Sequence, residues 1–179
     1  MPIIAISGFS GAGKSLLGKE LAQLLKYHYI DLDQYFIPSK DKPKIKLSDG
    51  STTINFDSLN ALDVPRFKRD CKKLSENGNL VITGFALRKE VLPFRPNHHL
   101  HLLVDKKTAI ERRWKAKPFL KKDPKKKARD LMMINEVAYP FYLDTLANSE
   151  IDKFFDANLT FLEVDNQVKE YLKLKFVKP

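Results

Sequence analysis

Ile3-Ile4-Ala5-Ile6-Ser7 runs straight into Gly8-Phe9-Ser10-Gly11-Ala12-Gly13-Lys14-Ser15, and Leu17, Leu21, Leu24 and Leu25 follow on one helical face. An apolar strand, a glycine-rich turn and an amphipathic helix therefore succeed one another without a break. The turn has the spacing G-x-x-x-x-G-K-S, which cradles a polyphosphate. Its glycines let successive amides point at phosphate oxygens, and the helix that follows adds the positive end of its dipole. Nucleotide contacts are expected from Gly8, Ser10, Gly11, Ala12, Gly13, Lys14, Ser15 and Leu16. Lys14 is expected to neutralise the β- and γ-phosphates and the Ser15 hydroxyl to ligate Mg²⁺. ATP and Mg²⁺ are thus the implied cofactors.

Outward from this stretch, apolar strands alternate with helical patterns, the signature of an α/β fold with a parallel sheet. Strands are expected at Tyr29 to Leu32, Leu80 to Thr83, Leu100 to Val104 and Leu159 to Val164, about five in all with the first. Asp63 reads as an N-cap with Pro65 in the first turn, opening a helix with Val64, Phe67, Cys71 and Leu74 inside. Further helices are expected at Lys107 to Trp114, at Ala128 to Leu146 with a break near Pro140, and after Asp165 as a cap, with Val168, Tyr171, Leu172 and Phe176 on one face. Gln34 to Leu62, rich in polar residues and proline, reads as a long functional loop. The 179 residues suit one domain of the three-layer P-loop type.

With 43% hydrophobic and 30% charged residues the composition is that of a globular protein, and the single cysteine, Cys71, excludes an internal disulfide. Met1-Pro2 leads directly into the first strand, without a basic leader or a membrane-length apolar run, so a cytoplasmic location is expected. Net charge is +10, concentrated between Arg112 and Arg129, where ten basic residues face Asp123 alone. A local positive field of that strength suits an anionic partner. A lid is expected at about residues 114–128, with Arg112 and Arg113 closing over the triphosphate. Lys121 to Lys127 reads as a solvated flank. Nucleic acid is a lesser alternative for it, because interleaved aromatic residues are sparse.

The chain lacks an acidic residue at the end of its third strand, where Leu80-Val81-Ile82 runs into Thr83, and it lacks Asn-Lys-x-Asp for guanine. Asp33, in Asp31-Leu32-Asp33-Gln34-Tyr35-Phe36, is the candidate to accept a proton from an attacking hydroxyl and to help position Mg²⁺. Asp33-x-Tyr35-Phe36, Asn55-Phe56-Asp57 with Ala61-Leu62-Asp63, Ile82-Thr83-Gly84-Phe85-Ala86-Leu87 and Tyr139-Pro140-Phe141-Tyr142-Leu143 together resemble segments of the uridine and nicotinamide riboside kinases.

The resemblance implies an ATP-dependent kinase acting on a nucleoside-like hydroxyl, the ribose 5′-hydroxyl. Asp33 would be the base, Phe36, Phe56, Asp57 and Phe119 the substrate contacts, and Ser15 with Asp33 the metal side. Thr83 departs from the glutamate usual in those families, and the lid lacks their Gly- and Asp-containing pattern. Only 22 residues separate Asp57 from Leu80, too few for the hairpin uridine kinases insert there, which favours the nicotinamide riboside side. Uridine, cytidine or another small metabolite remains the alternative acceptor, and a non-enzymatic ATP- or RNA-binding protein the alternative of another class. The His98, His99 and His101 group reads as a strand-edge cluster and Trp114 as lid-hinge packing.

Overall fold

The computed structural model describes residues 2–117, 119 and 123–174. Five parallel strands, β1 (Ile3–Gly8), β2 (His28–Asp31), β5 (Leu80–Gly84), β6 (His98–Leu103) and β7 (Lys153–Asp156), form one sheet in the order β2-β5-β1-β6-β7. A two-stranded antiparallel hairpin, β3 (Lys44–Lys46) and β4 (Thr52–Ile54), stands apart from it.

The sheet is buried on both faces, and the strand period of two sorts its side chains. Ile4, Ile6 and Val81 pack on one side with Leu17 and Leu21 of α1 (Lys14–Leu25) and with Val164 and Val168 of α6 (Phe161–Tyr171). Ala5, Leu80 and Ile82 pack on the other with Phe67 and Cys71 of α2 (Val64–Glu76). Asp63 caps α2 by accepting from the Arg66 amide, and Pro65 sits in its first turn. Helix α1 lies close to the sheet because Gly18 has no side chain: a Cβ there would stand 2.2 Å from Thr83 Cγ2.

Several expectations are corrected. The fifth strand is Lys153–Asp156, and Leu159 to Val164 instead enters α6. Thr160 caps that helix in a reciprocal capping box with Glu163, and Asp165 is buried and paired with Lys169. Phe176 of the expected last-helix face, and Lys121 and Lys122 of the basic flank, lie outside the described residues. The long loop holds the β3–β4 hairpin, turned at Leu47–Ser51.

After α3 (Lys106–Ala116) comes α4 (Pro124–Met133), which passes through a π turn (Ile134–Ala138) into α5 (Tyr139–Ala147). The run stays helical through Pro140, which lies in the first turn of α5 directly after the π turn. The π turn absorbs the irregularity instead. His99 and His101 are core residues: Ser7 Oγ lies 2.8 Å from His99 Nε2 and 2.9 Å from His101 Nδ1, and His101 Nε2 lies 3.0 Å from the Tyr142 hydroxyl. Among the described residues no helix is long and apolar enough to cross a membrane.

Candidate functional site

The carboxyl ends of β1, β2 and β5 open into a cavity of about 570 Å³. Ligands of open α/β sheets bind at this edge, where loops and helix N-termini converge. Its floor is the glycine-rich loop, with Phe9, Ser10 and Lys14. The loop is pinned by the Ala12 amide donating to the Phe9 carbonyl and by Leu17 starting the α1 ladder on Gly13. Gly11 has φ +85°, and a Cβ there would meet the Ala109 carbonyl at 2.8 Å, so another residue would push α3 off the loop.

Lys14 is buried, which pulls its pKa down against the opposing charges of Asp33 and Asp31. The Leu16 side chain is exposed and lines no part of the cavity. Asp31 ends β2 and caps the following short 3₁₀ turn (Leu32–Tyr35) by accepting from the Asp33 amide at 3.1 Å. Its other oxygen accepts from Ser15 Oγ at 2.9 Å and from the Tyr29 hydroxyl at 3.0 Å. The 3₁₀ turn puts Asp33 into the cavity beside Lys14. Burial raises the Asp33 pKa, and Lys14 offsets part of the rise.

Asp57 follows β4 and lines the cavity; burial raises its pKa as well, opposed by Arg113. Its own turn is held by Asn55, whose side-chain oxygen accepts from the Asp57 amide. Among the described residues neither Asp33 nor Asp57 has a hydrogen-bond partner for its carboxylate.

One wall is aromatic. Phe36 stacks on Phe85 at 5.8 Å and meets Phe56 edge-on at 5.8 Å, and Phe85 meets Phe141 at 5.9 Å. Lys42 backs this wall, with Nζ 5.3 Å from the Phe36 ring centre and 5.0 Å from that of Phe56. Arg88 backs Phe141 at 4.8 Å. The opposite wall comes from the basic region. Arg113 of α3 and Lys117, which follows its last residue, face the cavity, as does Asp130 from α4.

Among the expected site residues, Lys14, Ser10, Asp33, Phe36, Phe56, Asp57 and Arg113 come together. Two do not. Arg112 turns away, because its guanidinium donates to the carbonyls of Ala157, Asn158 and Leu159 and closes the turn after β7. Phe119 is 61% exposed and lines no part of the cavity. Asp31 and Asp130 were not among the expected site residues. Asp31 was visible in the Asp31-Leu32-Asp33 triplet, whereas Asp130 has no signal at any sequence spacing because its partners lie on another helix. Trp114 is not only packed: its indole N–H donates to Asp130 at 2.9 Å.

The Shikimate kinase family model matches residues 10–46 of the chain. Curated shikimate kinases from two strains of Thermus thermophilus are each 53% identical over 32 residues, 18% of this chain and 17% of the relative. The match therefore spans about a sixth of the length of these relatives.

Among solved structures, a sugar kinase from Janibacter sp. HTCC2649 superimposes with a TM-score of 0.60 at 14% identity, covering 97% of this chain and 95% of that one. A gluconokinase from Sinorhizobium meliloti 1021 gives 0.55 at 18% identity, with 96% and 95% covered. A shikimate kinase from Acinetobacter baumannii in complex with shikimate gives 0.51 at 20% identity, with 99% and 96% covered. At such identities the likeness is one of fold: an α/β P-loop kinase fold on a five-stranded parallel sheet. The comparisons carry the chain to that fold and no further towards a nucleoside acceptor.

Proposed function

We propose that this protein is an ATP-dependent kinase that transfers the γ-phosphoryl group to a hydroxyl of a small polyhydroxylated metabolite. The observation that carries the reading is the pair of unengaged carboxylates, Asp33 beside Lys14 and Asp57 across the cavity, at the edge of a phosphate-binding loop. A nucleotide switch has no use for two acceptor-facing carboxylates; a kinase needs one to take a proton and gains from a second that holds neighbouring hydroxyls.

Asp33 accepts the proton of the attacking hydroxyl, whose oxygen bonds to the γ-phosphorus as the bridge to the β-phosphate breaks and ADP departs. Lys14 and Arg113 carry the charge on the transferring group. Ser15, Asp31 and Asp33 offer hard oxygen donors within one small region, a set that suits Mg²⁺, and they would hold it directly or through water. Bound there, the ion would neutralise phosphate charge. Asp31 thus supplies the carboxylate that the end of β5 lacks.

Two classes of acceptor fit. The matched segment and the similar folds support a shikimate-like or sugar acid, whose carboxylate would face Lys117 and Arg113. The aromatic wall of Phe36, Phe56, Phe85 and Phe141 supports a nucleoside, whose planar base would stack there while Asp57 holds ribose hydroxyls. The test is ADP release from Mg-ATP with shikimate, gluconate, hexoses, nicotinamide riboside, uridine, cytidine and adenosine, with Asp33→Asn as control. Stimulation by one acceptor that vanishes in the variant supports the proposal. ATP binding with no acceptor-dependent turnover favours the nucleotide- or RNA-binding alternative, for which Lys125, Lys126 and Lys127 lie exposed on α4.

A further inference from the structure

We infer that Asp130 is a positioning residue that aims Arg113 at the transferring phosphoryl group, and that it does so by clamping the two helices of the basic segment together. The inference rests on the kinase reading above and goes beyond it, because Asp130 itself touches neither nucleotide nor acceptor in that scheme.

The geometry is specific. Asp130 pairs with Arg113 side-on: Nε lies 3.1 Å from both carboxylate oxygens and Nη2 lies 2.8 Å from Oδ1. A guanidinium has five N–H donors in a rigid plane. The side-on pairing uses the Nε donor and one on Nη2, and leaves the Nη1 edge clear of Asp130. That edge faces the glycine-rich loop, where Nη1 donates to Ser10 Oγ at 3.3 Å. An arginine tethered along one edge presents the other in a fixed direction, so little order remains to be imposed when phosphate arrives.

The same carboxylate accepts from the Trp114 indole through Oδ2, and Lys127 covers the Trp114 ring at 4.3 Å. One side chain of α4 therefore holds two consecutive residues of α3. The clamp is also sheltered: the Asp130 side chain is 10% exposed, where such an ion pair is screened far less than at the surface.

Asp130 has a second effect through charge. Arg113 and Lys117 lie near Asp57 as well as Asp130, and their charge already acts on the Asp57 carboxylate. Without Asp130, Arg113 keeps its attraction to Asp57, which lines the same cavity. A pair between those two would withdraw the phosphate-facing arginine and the acceptor-holding carboxylate together. Asp130 keeps both groups free for their separate tasks.

The experiment uses the whole chain in Asp130→Ala, Asp130→Asn, Asp130→Glu, Arg113→Ala and Arg113→Ala/Asp130→Ala forms, each checked for folding by thermal melting. With the acceptor found in the panel, Asp130→Ala and Asp130→Asn are expected to lower kcat by about 100-fold, while KM for ATP moves less than about threefold. Asp130→Glu is expected to recover part of kcat, and the double variant to be no slower than Arg113→Ala alone. Retention of kcat in Asp130→Asn, or losses that multiply in the double variant, would overturn the assignment.

Trp114 is the sole tryptophan of the chain. Its fluorescence therefore reads the clamp without any turnover, which separates this inference from the kinase reading. A non-hydrolysable ATP analogue is expected to change Trp114 emission in the wild-type protein and to leave it unchanged in Asp130→Asn at similar affinity. Equal changes in both would overturn the clamp, even where no acceptor supports ADP release.

Discussion

Asp31 and Thr83 stand side by side at the carboxyl ends of β2 and β5 and are joined through the Tyr29 hydroxyl, which bonds to both side chains. The sheet thus moves a negative charge one strand sideways: the acid missing at position 83 is present at position 31, within reach of Ser15. Asp31→Asn keeps the cap on the Asp33 amide but halves the anionic charge facing the metal. The Mg²⁺ concentration for half-maximal turnover is expected to rise by about 10-fold or more, as losses around metal ligands do. A Mg²⁺ titration of ADP release checks this; an unchanged midpoint would remove Asp31 from the metal side.

Asp33→Asn is expected to lower kcat by about 1000-fold with nucleotide affinity within about threefold, because it removes the base and leaves the loop intact. The wild-type pH profile tests the same group. Burial lifts the Asp33 pKa, and Lys14 only partly counters it. The ionised carboxylate is the active form, so activity falls as pH is lowered. The acid limb of kcat/KM is expected above the ordinary aspartate range near pH 3.9. A profile flat down to about pH 4 would argue against Asp33 as base.

Arg112 and Phe119 give the reverse test. Arg112→Ala removes a charged donor from three carbonyls of the turn after β7. It is expected to cost about 1–3 kcal/mol of stability and to leave kcat at the wild-type level. Phe119→Ala is expected to change neither the acceptor KM nor the melting temperature. Denaturant titration and steady-state kinetics on the two variants decide both points.

The buried histidines make stability depend on pH. Burial pushes the pKa of both His99 and His101 down to about 4, against about 6.5 in the unfolded chain. Between these values the unfolded state binds the extra protons, so acid favours unfolding. Their contribution is complete above about pH 6.5 and is lost as pH falls through the folded values, at up to about 1.4 kcal/mol per unit for each ring. Groups facing them include Asp152 and Arg95 for His99, and Lys14 for His101, which shift the window without reversing its sign. Melting temperatures from pH 7.5 down to pH 4.5 are expected to decline, and His101→Asn to flatten the decline.

Much of this architecture can be read along the chain, and the failures have physical causes. The loop, α1 and β5 announce themselves because both faces of the central sheet are buried and the period is unbroken. β7 escapes because it is an edge strand in which Phe155 alone is buried, so Lys153-Phe154-Phe155-Asp156 carries too little pattern. The apolar run Leu159 to Val164 misleads, although Thr160 and Glu163 hold the spacing of a capping box inside it. Asp49-Gly50 was the available sign of the hairpin.

Of the expected site residues, Asp33 enters the cavity because it follows the end of β2, whose place the phosphate-loop motif fixes. Asp57 enters it from the β3–β4 hairpin, and Asp130, which was not expected, by contact between helices. Arg112 and Arg113 are adjacent on α3, so they point about 100° apart, and only packing against α4 shows which one faces the cavity.

The π turn at Ile134–Ala138 has a consequence for how this protein tolerates insertions and deletions. One additional residue in a helical run rotates everything beyond it by about 100° relative to a regular helix. Phe141 and Tyr142 face the cavity on the far side of that turn, while Asp130, Met133 and Ile134 face it on the near side. Loss of a single residue from the turn would regularise the helix and swing Phe141 and Tyr142 out of the cavity, leaving the Asp130 end where it stands. The length of this segment, independent of which side chains occupy it, is therefore part of what defines the shape the protein can bind.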